Sequence, residues 1–128
     1  MSIERFGSGG RWEQAVGYSR VVRDGATVYV AGCTAVGHDG ALVGGDDAYA
    51  QARQACANVL AALAQAGLGA ETVVQTRIYV TDISRWEAVG RAHAEAFGAA
   101  APVATMVQVG GLIDPRMLVE IEAVASDR

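Results

Sequence analysis

The chain has 128 residues, 52% of them apolar and 19% charged, with a net charge of −4 and an isoelectric point near 5.0. This is the size and composition of one globular domain, whose core needs neither disulfides nor a metal to close. The acidic balance offers no long-range attraction for phosphate backbones, so nucleic acid is not an expected partner, and no apolar run approaches the ~18 residues of a membrane span.

The start, MSIERFGSGG, has charges and glycines where a signal peptide has an apolar run, which points to a cytoplasmic protein. Alternation from Ile3 to Phe6 reads as a short strand, and GSGG at 7 to 10 as a flexible turn. No periodicity fixes the direction of Trp12 and Glu13, which could fold over the mouth of a pocket. Next, YSRVVRDGATVYVAGC offers two strands around the hairpin signal Asp24-Gly25. The Gly/Asp-rich GHDGALVGGDD is a loop, and either Asp46 or Asp47 can cap a helix that runs to about Ala66 and ends at Gly67. Ala52, Cys56, Val59 and Leu63 form its inward stripe. The β-branched ETVVQTRIYVTD is a strand, after which Ser84 and Glu87 have the spacing of a capping box. The helix beginning there carries the stripe Trp86, Val89, His93 and Phe97. Two strands within residues 101 to 125 complete the order β-β-β-α-β-α-β-β.

Two helices cannot easily cover both faces of a sheet of about six strands, so both are expected on one face of an α+β domain spanning residues 1–128. On the last two strands, Val103, Val107 and Val109 with Val119 and Ile121 form an apolar row suited to the helices. The opposite row reads Ala104, Met106, Gln108, Leu118, Glu120 and Glu122. A surface of that mixture is too apolar to be left wet and too charged for a closed core. It suits a subunit interface that encloses a polar pocket.

The residues Tyr18, VAGC at 30 to 33, YAQARQACANVLAALAQAGL at 49 to 68, TRIYVTDISRW at 76 to 86, Pro102 and VEIEAVA at 119 to 125 together resemble the Rid superfamily, also called the YjgF-type family. The resemblance spans about residue 15 to the end. It implies a chorismate-mutase-like fold in a homotrimer, with pockets between subunits where water adds to reactive imines or enamines and ammonia leaves. Glu120 stands at the position of the family's water-handling glutamate, and Tyr18 matches its pocket tyrosine. The active deaminases carry an arginine two positions after the proline matching Pro102, where this chain has Ala104. That difference removes a bidentate carboxylate clamp. Arg20, two residues from Tyr18 on an extended segment, is the candidate replacement, either binding an anion or pairing with Glu120.

Gly32 and Cys33 of the VAGC motif, Trp86 and Met106 are further candidates to line such a pocket. Trp86 could equally cap the core, and Cys33 and Met106 could equally be core packing. Cys33 and Cys56 have no paired spacing and read as reduced, buried thiols. Glu122 reads as structural, His93 as a core histidine and His38 as a solvated turn residue. With two histidines and no Cys/His cluster, neither a metal nor another cofactor is expected. The partners expected are a small-molecule ligand, anionic if Arg20 binds it, and two further copies of the chain. The resemblance implies two alternative functions: a hydrolase of imine, enamine or related nitrogen compounds, or a trimer that holds a small metabolite without chemistry.

Overall fold

The computed structural model describes residues 2–128. Its elements are β1 (Ile3–Phe6), α1 (Arg11–Val16), β2 (Val21–Asp24), β3 (Thr27–Cys33), α2 (Ala48–Gln65), β4 (Val73–Val80), α3 (Trp86–Phe97), β5 (Val103–Gln108) and β6 (Val119–Ser126). The six strands and two long helices occur in the expected order; the short α1 is an addition. One sheet runs β1-β2-β3-β6-β4-β5, antiparallel except for the parallel β4–β5 pair.

Local chemistry explains the boundaries. Asp24 pairs with Thr27 across a tight turn in which Gly25 takes a φ of 63°, where a side chain would be strained. Asp47, of the two candidates, caps α2 by accepting a hydrogen bond from the Ala50 amide. At the other end Gly67, with a φ of 76°, lets its own amide reach Ala64 O and the Leu68 amide reach Leu63 O, which satisfies the last carbonyls of the helix.

Both long helices pack on one face of the sheet. Ala52, Cys56, Val59 and Leu63 of α2, with Val89, Ala92 and Phe97 of α3, close a core against Val28, Val30, Ile78, Ile121 and Ala123. Burial pushes the Cys56 thiol up to about 12, so it stays a protonated core residue.

Three expectations are corrected. The capping box before α3 does not form: Asp82 instead accepts hydrogen bonds from the Ser84 amide and hydroxyl, because the intervening residues wind into a 3₁₀ turn. That turn leaves Trp86 56% exposed, outside the helix's inward stripe, and His93 half-buried against the Thr76 hydroxyl at 2.8 Å. The rows of β5 are also exchanged. Parallel pairing aligns Ala104, Met106 and Gln108 with Thr76, Ile78 and Val80 on the helix side, while Val103 (67% exposed) and Val107 (42%) lie on the open face. Val109 falls beyond the strand, and Leu118 lies just before β6, packed against the core. Both rows of β5 are apolar enough to face the helices, so alternation alone could not choose between them.

The loop between β3 and α2 and the segment leading into β6 hang on one buried amide. Gln51 donates to Gly45 O at 2.7 Å and Arg116 O at 2.9 Å, and accepts from the Leu118 amide at 2.9 Å. Gln51→Leu keeps the volume but loses three hydrogen bonds, each with a net value of about 1 kcal/mol. Urea unfolding should show a loss of roughly 3 kcal/mol; a loss below about 1 kcal/mol would mean that water replaces the amide without cost.

Candidate functional site

The open face of the sheet takes its character from β6. Its buried row is Val119, Ile121, Ala123 and Ala125, so Glu120, Glu122 and Val124 project the other way, each partly buried. Glu120 pairs with Tyr79 of β4, and Glu122 with Arg77.

Next to Glu120 the β3–β6 ladder slips. Val30 faces Ala123 and Cys33 faces Ile121, so Ala31 and Gly32 together oppose a single residue in a bulge. The Glu120 carboxylate rests on Gly32. A Cβ there would overlap the carboxylate oxygen and stand 2.8 Å from its carbon Cδ. Gly32 is therefore the residue that lets Glu120 lie down on the strand.

The bulge also turns two carbonyls toward Arg20. Its Nη1 donates to Gly32 O at 2.7 Å and Ala31 O at 3.2 Å, with the Cys33 sulfur at 3.4 Å. Nη2 donates to the Tyr18 hydroxyl at 3.2 Å, and Nε to Glu13 Oε2 at 3.3 Å. Of the two roles open to Arg20, the pair with Glu120 does not form within the subunit; Arg20 is paired with Glu13. Glu13 reaches it because α1 carries the side chain inward, where the Ser8 amide (2.9 Å) and hydroxyl also donate to it. The GSGG turn is thus tied down through Ser8 rather than free.

Burial by itself would raise the Glu13 carboxyl, but the Ser8 hydroxyl and amide and the Arg20 charge outweigh it and hold the group below its ordinary value. Burial likewise works against the Arg20 charge, and the groups around it more than restore it. Glu120 differs. Burial raises its pKa above the ordinary 4.5, the Arg20 charge opposes that shift, and the neighbouring Glu122 adds to it. Among the described residues the Glu120 side chain has no hydrogen-bonding partner within the subunit, whereas Glu122 accepts from the Tyr79 hydroxyl and lies 3.6 Å from Arg77.

Arg20, Gly32 and Cys33 thus lie close to Glu120, Tyr18 joins them through its hydrogen bond from Arg20, and Cys33 is on the core side at 5% exposure. Trp86, Ala104 and Met106 do not join them within one subunit. Trp86 opens α3, and Ala104 and Met106 sit on the helix side of β5. Arg77 and Tyr79 are open-face residues that reading β6 alone overlooks; the alternation of TRIYV beside EIE was their signal. No group of three or more His, Cys, Asp or Glu side chains among the described residues could hold a metal.

The sequence model described as Endoribonuclease L-PSP matches residues 10–127. The chain belongs to the YjgF/Rid family. An uncharacterized protein of Streptomyces coelicolor is 41% identical over 124 residues, covering 97% of this chain and 92% of the relative. Rv2704 of Mycobacterium tuberculosis, a member of the YjgF/YER057c/UK114 family, is 52% identical, with a TM-score of 0.88 over 98% of this chain and 99% of its own. Escherichia coli TdcF, whose crystal structure holds bound serine, is 26% identical, with a TM-score of 0.80 over 87% of this chain and 88% of its own. Similarity to YjgF/Rid proteins therefore covers the whole α+β domain, the Glu120 cluster included.

The upward shift of Glu120 has a stability consequence. A carboxyl that holds its proton more tightly when folded contributes its full stability below the unfolded value of 4.5 and loses it as pH rises through the folded value. Glu120→Gln should flatten the fall in stability above pH 4.5, measured by urea unfolding across that range. An unchanged slope would mean that Glu120 titrates like a free carboxyl.

Proposed function

We propose that the chain works in the cytoplasm as a homotrimer assembled through the open face of its sheet, with a pocket around Glu120 that hydrolyses a small imine or enamine. The observation that carries this reading is the Glu120 carboxyl itself: partly buried on Gly32, raised in pKa, and without a side-chain partner among the described residues of its subunit. A structural carboxylate in that position would be neutralised, as Glu13 is by Arg20 and Ser8. One left uncompensated suits proton transfer.

In this scheme protonated Glu120 gives its proton to the imine nitrogen, and the resulting carboxylate takes one from the water that attacks the imine carbon. The carbinolamine formed has a new C–O bond and an amine leaving group. Glu120 then gives that proton to the nitrogen and, as the C–N bond breaks and the C=O bond forms, takes the hydroxyl proton, so ammonia and a carbonyl compound leave and Glu120 is again protonated. An enamine first takes a proton on carbon to become the imine. No oxidant and no cofactor is consumed. Trimer formation brings further side chains toward this pocket and removes Val103, Val107, Tyr29 and Val124 from water. The serine bound by TdcF supports a ligand of amino-acid size.

A second reading, a metabolite-binding trimer without chemistry, is favoured by one observation. The Arg20 donors are engaged within the subunit and position 104 is alanine, so neither supplies a free anion clamp. The family model's name points instead to RNA cleavage. Against that stand the net charge of −4 and the histidines, with His93 bound to Thr76 on the helix side and His38 in the loop after β3.

Sedimentation at micromolar concentration should give a species of three 13.2 kDa subunits; a stable monomer would sink the interfacial pocket. Ammonia release from a 2-imino acid generated in place by an amino-acid oxidase should be accelerated by the wild-type protein. Glu120→Gln should slow it by roughly 10²–10⁴-fold. No acceleration by the wild type would leave the binding reading in possession.

A further inference from the structure

The open face carries a second guanidinium, which the cluster around Glu120 does not use. Arg77 projects from β4 with its side chain 49% exposed, and among the described residues its ion-pair partner is Glu122, whose Oε2 lies 3.6 Å from Nη1. That separation is an ion pair without a hydrogen bond. Among the described residues none of the five N–H donors of Arg77 makes a hydrogen bond, whereas Arg20 is 14% exposed and spends its donors on Glu13, two carbonyls and Tyr18.

Glu122 does not depend on Arg77, since the Tyr79 hydroxyl donates to it as well. An incoming anion can therefore take the guanidinium and leave Glu122 still hydrogen-bonded. Register places the two functions side by side. Arg77 faces Glu122 and Tyr79 faces Glu120, so Arg77 and Glu120 are diagonal neighbours on adjacent strands. Such positions lie about 7–8 Å apart at the backbone, within reach of long side chains. A molecule with a carboxylate one bond from its reacting carbon spans that gap. Arg5, on the same face, belongs to β1, three strands from β6 in the sheet and roughly 14 Å away at a strand spacing of ~4.8 Å.

We propose that Arg77 is the anion-binding residue of this pocket, gripping the carboxylate of a small 2-imino, 2-amino or 2-oxo acid with its planar fork while the adjacent carbon lies toward Glu120. Thr105, in register with Arg77 on β5, offers a hydroxyl beside the same carboxylate. The assignment rests on Glu120 marking the reacting end, but it is tested by binding alone.

The probes are L-serine, pyruvate and serinamide, which lacks the carboxylate, titrated calorimetrically into wild type, Arg77→Gln and Arg77→Lys, with the assembly of each followed by sedimentation. Loss of a charge-assisted bidentate contact should weaken serine and pyruvate by about 10–150-fold in Arg77→Gln. Arg77→Lys should recover only part, because it returns the charge without the fork. Serinamide binding should differ little between wild type and either variant. Equal carboxylate affinity in wild type and Arg77→Gln would overturn the proposal, as would wild-type protein that binds neither carboxylate. Dissociation of the trimer in Arg77→Gln and its retention in Arg77→Lys, with unchanged serine affinity, would assign Arg77 to a subunit contact and also overturn it. Carboxylate binding that depends on Arg77, without ammonia release from imines, would uphold the clamp and remove the hydrolase reading.

Discussion

Strand β6 ties the core and the open-face cluster to one another. It lies between β3 and β4, bonded to both, and its side chains alternate without interruption: Val119, Ile121, Ala123 and Ala125 into the core, Glu120 and Glu122 out of it. A slip of one residue would bury two carboxylates under α2 and expose four apolar side chains, so the packing energy of the core enforces the register that displays the glutamates. The carboxylates need no anchoring of their own. Their position is a by-product of filling the space beneath the helices.

The bulge in β3 adds the second element. By letting Ala31 and Gly32 oppose one residue of β6, it provides a floor without a side chain for Glu120 and two carbonyls for Arg20. Arg20 then organises Glu13, Tyr18 and, through Ser8, the glycine-rich turn. The result is a balanced pair, Arg20 with Glu13, beside an unbalanced carboxyl, Glu120. In a partly buried setting the unbalanced group is the one whose protonation responds to a ligand, which is why the chemistry is assigned there rather than to the more elaborately bonded arginine.

Membership of the YjgF/Rid family is shown for the whole domain, and within it the distribution of charge is particular to this chain. The chain has alanine at position 104, on the helix side of β5, while arginine stands at position 77 on the open face of the adjacent strand. A small pocket can be supplied with a cation from either strand, since neighbouring strands are only ~4.8 Å apart.

Much of this was legible in the sequence because it depends on local rules. Asp24-Gly25 marked the hairpin, the Asp46-Asp47 pair and Gly67 bounded α2, the stripe through Ala52 to Leu63 marked its buried side, and period two along VEIEAVA set the glutamates on one face. The VAGC and VEIEAVA motifs likewise lie on adjacent strands, with Gly32 against Glu120. What the sequence could not decide were choices between locally equal options. Both rows of β5 are apolar, and only its parallel pairing with β4 turned Val103 and Val107 outward. Arg20 had the reach to meet Glu120, but a bulge invisible in composition and a short helix carrying Glu13 took its donors first. Alternation is read along one strand, whereas partners are chosen across strands and loops, by register and by which buried charge finds its counter-charge; those are properties of the assembled sheet.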